Sequence, residues 1–224
     1  MKAATAEIDH LVVAAATLDE GVAWCERVLG VTPGPGGRHP LMGTHNRLLR
    51  LDGADQAYLE IIAVDPQGSA PTNFARWFGL DRPALQQRLA VRGPRLVHWV
   101  ARTSSILAMR RRLRELGANP GVPGSASRES ALGLLTWRIS VRLDGEPQLG
   151  GALPALIQWN GLHPAEAMAA SGVTLQQLQA RAAPALEAMH TSHLDLVAEF
   201  PVPLRATLQT PRGGVTLDIE EDLA

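Results

Sequence analysis

The chain repeats itself, and that repeat limits the folds open to it more than any other feature. An apolar strand pattern, Ile8-Asp9-His10-Leu11-Val12-Val13-Ala14, leads to Thr17 or Asp19 as helix caps. Val22, Cys25, Val28 and Leu29 then recur at helical spacing until Gly30 stops the helix, with Pro33 just beyond. Downstream, Leu96-Val97-His98-Trp99-Val100-Ala101 leads to Thr103 or Ser104 as caps and a helix to Leu116, stopped by Gly117 with Pro120 beyond. Each stop opens a Gly/Pro loop, over 33–40 in one half and up to Gly124 in the other. Two strands close each half: 44–51 and 57–64 around Asp52-Gly53, then 134–143 and 153–160 around Asp144-Gly145. His10 maps onto His98 and Gly30 onto Gly117 in register to within one residue, as a duplicated unit requires.

The pattern predicts an α+β chain with a first module over 1–65, a helical linker over 66–94, a second module over 95–161 and a C-terminal extension over 162–224. Short helices are expected over 73–78 and 83–90 of the linker, the first anchored by Trp77 and Phe78. The extension reads as a small α/β unit: a strand over 173–181, a helix over 184–193, and strands over 204–209 and 214–219 turned by Pro211-Arg212-Gly213-Gly214. It is also readable as a partial third module.

Composition narrows the function. The 224 residues carry a formal charge of −1, without the basic excess of a sequence-independent nucleic-acid binder. Arg110, Arg111, Arg112 and Arg114 read as the solvated face of a helix. Cys25 is the only cysteine, so neither an intrachain disulfide nor a Cys-based zinc site is available. Met1 to Glu7 has no signal-peptide pattern, and no apolar run reaches the about 18 residues of a membrane span, so the expectation is a cytoplasmic protein without a membrane partner. Gly34-Pro35-Gly36-Gly37 follows a helix stop and does not open a helix after a strand, so no nucleotide cofactor is expected. No Ser sits in a nucleophile elbow.

Strand alternation groups Ile8, His10, Val12 and Ala14 on one face, and Tyr58, Glu60, Ile62 and Val64 on another. In the second half the groups are Leu96, His98 and Val100, then Leu156, Gln158 and Asn160. If the sheets close face to face, His10, Glu60 and His98 converge with Gln158 opposite Glu60. Two imidazoles and a carboxylate suit Fe, Mn, Zn or Ni and leave positions open for substrate. A histidine in an apolar strand is equally what a packed, hydrogen-bonded residue looks like, and a lone Glu equally a solvent-facing one. Trp99 and Trp159 alternate with His98 and Gln158, which predicts both as core packed against helices.

Ile8-Asp9-His10-Leu11-Val12, Gly43-Thr44-His45-Asn46, Tyr58-Leu59-Glu60-Ile61-Ile62, Arg95-Leu96-Val97-His98-Trp99 and Trp137-Arg138 together resemble the glyoxalase-like domain proteins of the vicinal oxygen chelate superfamily. The resemblance implies paired βαβββ modules that form a cup-shaped mixed sheet around a divalent metal. Its ligand positions match His10, Glu60, His98 and Gln158; Gln158 stands where many superfamily metalloenzymes carry a carboxylate. It also implies a metal-dependent lyase, isomerase or dioxygenase acting on a small oxygenated metabolite, with His10, Glu60 and His98 as metal ligands. Glu60 and Gln158 are then the catalytic candidates, and His45, Asn46, Arg138 and His163 the substrate-binding ones, although only one of His45 and Asn46 can face the cup. The alternative is a metal-free protein of the same fold that binds or sequesters a small molecule. A third reading makes the duplicated shell a dimerisation scaffold, and superfamily members often form homodimers. Arg38 and His39 lie in a loop that could serve as a lid, while His190 and His193 read as exposed polar residues.

Overall fold

A computed structural model describes residues 5–130 and 133–220. The first module consists of β1 (Ala6–Ala14), α1 (Leu18–Trp24), β2 (Arg38–His39), β3 (Thr44–Arg50) and β4 (Tyr58–Val64). Thr17 caps α1, its hydroxyl accepting from Glu20 N at 3.2 Å, and the helix runs on as a π-helical turn, Cys25–Leu29, to Gly30 at φ +77°. The linker holds a 3-10 turn at Trp77–Gly79, shorter than the helix expected over 73–78, and α2 (Pro83–Arg92). The second module repeats the order: β5 (Arg95–Thr103), α3 (Ile106–Glu115), β6 (Val122–Ser130), β7 (Gly133–Val141) and β8 (Ala155–Trp159).

The eight strands form one sheet in the order β2-β3-β4-β1-β5-β8-β7-β6. In each module the first strand pairs parallel with the last, and the remaining pairs are antiparallel. β1 and β5 join the modules antiparallel at the centre, and the sheet curls into a cup. The α+β class and the cup are those read from the sequence. The sheet edges meet where Arg128 of β6 lies against the backbone of Gly37.

The central seam departs from regular alternation twice. Ile8 pairs with Ala101 and His10 with Val100, leaving Asp9 as an extra residue in β1; Val12 pairs with His98 and Val13 with Leu96, leaving Val97 extra in β5. These β-bulges occupy matching positions of the repeat, one residue before each histidine. A bulge admits two consecutive side chains to one face. Ile8 and Leu96 therefore join the outer core, not the face shared with His10 and His98 that unbroken alternation predicts.

The outer face carries Leu11, Leu59, Ile61 and Trp99, packed against Trp24 and Leu29 of the first helical segment and Ile106, Met109 and Leu113 of α3. Each fully buried aliphatic chain of this layer contributes about 1.5–3 kcal/mol. A second sheet closes over the same core in the order β10-β9-β11-β12. It comprises β9 (Thr174–Arg181), α4 (Pro184–Met189), β10 (Leu194–Val197), β11 (Leu204–Thr210) and β12 (Gly213–Asp218). Here the strand parallel to the first is the one directly after the helix, so the connectivity differs from that of the two modules. α4 ends earlier than its sequence pattern suggests, because His190 turns left-handed at φ 48° and releases the chain into β10. Among the described residues no helix is long and apolar enough to cross a membrane.

The inner face carries Val12, Ile62, Val100, Trp137 and Ile157, and the linker plugs part of the cup with Trp77, Phe78, Leu85 and Leu89. Trp77 stands edge-on to His39 at 4.9 Å, and Phe78 covers His98 at 5.2 Å. The stacked Trp77–Phe78 pair thus becomes a partition between two small cavities, of about 30 and 40 Å³.

Candidate functional site

The smaller cavity, about 30 Å³, has the chemistry. His10, Asn46, Tyr58, Glu60, Arg128 and Trp159 line it. The bulge sends Asp9 into the same face as His10, where its carboxylate is fully buried and receives three ring N–H groups. His10 Nδ1 lies 2.6 Å from Oδ1; Trp159 Nε1 donates to Oδ2 at 2.8 Å, and His163 Nε2 reaches Oδ2 at 3.1 Å. Ala165 N donates to His163 Nδ1 at 3.2 Å, which fixes the His163 proton on Nε2, facing Asp9. Burial alone would raise the Asp9 pKa. The hydrogen bonds from His10 and His163 outweigh it and hold the carboxyl well below the usual carboxylate range.

An ionised Asp9 fixes the tautomer of His10 in turn. Nδ1 carries the proton that Asp9 accepts, and Nε2 points into the cavity, 3.5 Å from Glu60 Oε2. The ring stacks on Tyr58 with centroids 4.6 Å apart. Glu60 is oriented from its other oxygen, since Asn46 Nδ2 donates to Oε1 at 2.5 Å while Gly37 N donates to Asn46 Oδ1 at 2.8 Å. Burial, then the charges of Asp9 and Glu60, raise the Tyr58 pKa, so it stays a phenol. His39 closes the wall from β2, its Nδ1 3.1 Å from Thr44 Oγ1, and burial lowers its pKa to about 4 against the opposing pull of Glu60.

Among the sequence candidates, His10, Glu60 and Asn46 meet in this cavity, and His163 touches it through Asp9. His98 does not join them. It lines the other cavity, with Ala155 N donating to its Nε2 at 3.1 Å and its buried Nδ1 without a partner. Burial, with His10 adding to it, lowers its pKa to about 3. Gln158 lies on the outer face, where Oε1 accepts from Ile106 N at 3.0 Å and Arg138 Nη2 at 3.2 Å, so it caps α3 and occupies Arg138. Neither Thr103 nor Ser104 holds that cap; Ser105 takes the position without a side-chain bond. His45 is half-buried on the strand face opposite Asn46. Trp159 faces the cavity, unlike Trp99, because β8 directs Gln158 outward.

The strand register gives the reason for the mismatch. Val12 pairs with Glu60 in the first module, and Val100, its repeat equivalent, pairs with Ala155. Ala155, not Gln158, therefore stands where Glu60 stands, and its amide N–H faces His98 as Glu60 faces His10. A divalent ion would find two of its expected donors together, His10 Nε2 and Glu60 Oε2. The third is on the far side of the Trp77–Phe78 partition, and among the described residues no three His, Cys, Asp or Glu side chains are arranged to hold a metal ion. The His10, Glu60, His98 centre expected from the sequence does not assemble.

Asp9, Tyr58 and Arg128 are the additions, and His39, read from the sequence as part of a lid loop, is a residue of the cavity wall. The sequence did carry a signal for Asp9, a carboxylate inside an apolar strand beside a histidine. Alternation turns it away from His10, and only the bulge brings it back.

A family model described as a glyoxalase-like domain matches residues 8–196. A hypothetical protein from Staphylococcus aureus shares the fold, with a TM-score of 0.58 at 15% identity over 96% of this chain and 86% of that one. Methylmalonyl-CoA epimerase from Mycobacterium tuberculosis is similar at 21% identity over 68% of this chain and 85% of that one, with a TM-score of 0.39. No curated protein sequence matches the chain. With the family model spanning both modules and part of the extension, the chain belongs to the glyoxalase-like domain family.

Proposed function

We propose that the protein is an enzyme that moves a proton on a small oxygenated metabolite, an isomerase or lyase, with His10 as base. The observation that carries this reading is the buried chain Asp9–His10–Glu60, with distances of 2.6 and 3.5 Å. Asp9 keeps the proton on Nδ1, which leaves the Nε2 lone pair aimed into a small polar cavity. A C–H beside a carbonyl loses its proton to Nε2, and the carbonyl oxygen takes up the negative charge. Arg128 is the permanent cation of the wall and stabilises that oxygen. The proton returns from His10, or from Glu60 after exchange between Nε2 and Oε2, to the same carbon or to oxygen. Tyr58 and Trp159 keep the base dry on its stacked and rear sides.

The test is wash-in of deuterium from D2O into carbonyl compounds, followed by NMR. His10→Gln should abolish exchange above background. Asp9→Asn should lower it by about 10²–10⁴-fold, because the tautomer is no longer fixed, while leaving thermal unfolding cooperative. Exchange that survives His10→Gln would sink the proposal. A metal assay run beside it supplies an independent readout: chelator-treated protein should retain the exchange rate.

A further inference from the structure

A cavity of about 30 Å³ holds roughly one water, so the reacting group enters it and the rest of any substrate lies elsewhere. A chamber of about 500 Å³ adjoins it, within the size range of small-molecule sites. Leu48, Leu135, Pro35, Pro164 and Met168 give it a largely apolar wall. The two spaces border each other along β3 and β7. Leu48 of β3 lines the chamber and Asn46, two residues along the same strand face, the cavity; Leu135 and Trp137 of β7 divide in the same way. Arg128, register partner of Leu135, borders both.

The Arg128 side chain makes no hydrogen bond or ion pair within the described residues, whereas that of Arg50 is engaged by the carbonyls of Ala165 (3.1 Å) and Met168 (3.4 Å). Glu129, the acidic residue of the chamber wall, is exposed. The guanidinium lies against the backbone of Gly37, where a Cβ would collide with it, so the glycine loop sets its position at the junction.

We infer that the substrate is an amphipathic carboxylate bearing an adjacent carbonyl: its apolar acyl or aryl body fills the chamber and its oxo-carboxylate end enters the cavity, where Arg128 takes the carboxylate together with the carbonyl oxygen and the C–H beside the carbonyl faces His10 and Glu60. This rests on the proton-transfer reading for the identity of the reacting end, and on the chamber alone for the body.

The probes are straight-chain 2-oxo acids, from pyruvate to 2-oxodecanoate, titrated into the whole chain with intrinsic tryptophan fluorescence as readout, since Trp137 and Trp159 line the cavity. Affinity should rise by about fourfold per added methylene until the chamber is full. Arg128→Gln should weaken every member by about tenfold or more, and Gly37→Ala should do the same by displacing the guanidinium. Met168→Asp should flatten the chain-length dependence while short members bind as before, and Ala169→Asp on the same loop should reproduce this if the first variant misfolds. Affinity independent of chain length, or unaltered by Arg128→Gln, would overturn the inference. The two readings fail separately. A chain-length series without deuterium exchange removes the reaction and keeps the chamber; exchange that is equal for pyruvate and 2-oxodecanoate removes the chamber and keeps the reaction.

Discussion

Asp9 has no contact with water and three N–H donors, while His98 has one donor on Nε2 and an unpartnered Nδ1. The two residues react oppositely to burial. One is locked in its charged form by its neighbours; the other is held neutral because nothing nearby would accept its charge. A histidine whose folded pKa is depressed contributes stability that is fully present above its unfolded value of about 6.5 and is lost as pH falls toward about 3. His39, lowered to about 4, acts in the same direction. Thermal unfolding should therefore move to lower temperature as pH drops from 6.5 to 4, each fully depressed histidine costing up to about 1.4 kcal/mol per pH unit. His98→Gln, which keeps an acceptor for Ala155 N, should reduce that slope; an unchanged slope would mean that His98 does not resist protonation. At this scale the sequence put His10 and Glu60 on cup-facing strand positions and left His45 and Asn46 open, and one cavity is lined by His10, Glu60 and Asn46. Arg128 was not legible, because its strand, Val122–Ser130, is mostly exposed and rich in Ser, with no apolar period to reveal it.

The elements themselves were well marked: β1, β3, β4, β5, β7, β8, β9, β11 and β12 all begin or end close to where alternation and turn residues put them. What alternation could not supply was the phase of a strand after a bulge, or the offset between strands of unequal loop length. Gln158 illustrates the second failure. Counting along the sequence matched it to Glu60, but hydrogen-bonded register matches Ala155, and Gln158 turns outward to the start of α3. Gln158→Ala should cost about 1 kcal/mol through the lost cap on Ile106 N, measured by urea unfolding, with deuterium exchange unchanged. A large fall in exchange at constant stability would return Gln158 to the site.

At the scale of the whole molecule, the duplication was the reliable inference and the contents of the cup were not. The sequence marked Trp77 and Phe78 as the anchor of the segment between the two halves, but gave no hint that the pair would divide the interior. The C-terminal sheet has an equally global role. Leu178, Ala180, Leu186, Met189 and Leu204 lie in the same core as Leu11, Leu59 and Trp99. A chain ended at Ala170 should bare that layer and aggregate, with binding of an apolar dye at temperatures where the full chain binds none. A soluble, cooperatively folded product would show that the two modules need no cover.

The paired bulges have a further consequence. Each gives a strand two adjacent side chains on the inner face, and the first half fills its pair with a carboxylate and an imidazole. The second half fills the same geometry with Val97 and His98. The molecule thus carries a duplicate socket of which only one copy is wired, and a single replacement at Val97 separates the silent imidazole from a charged neighbour of its own.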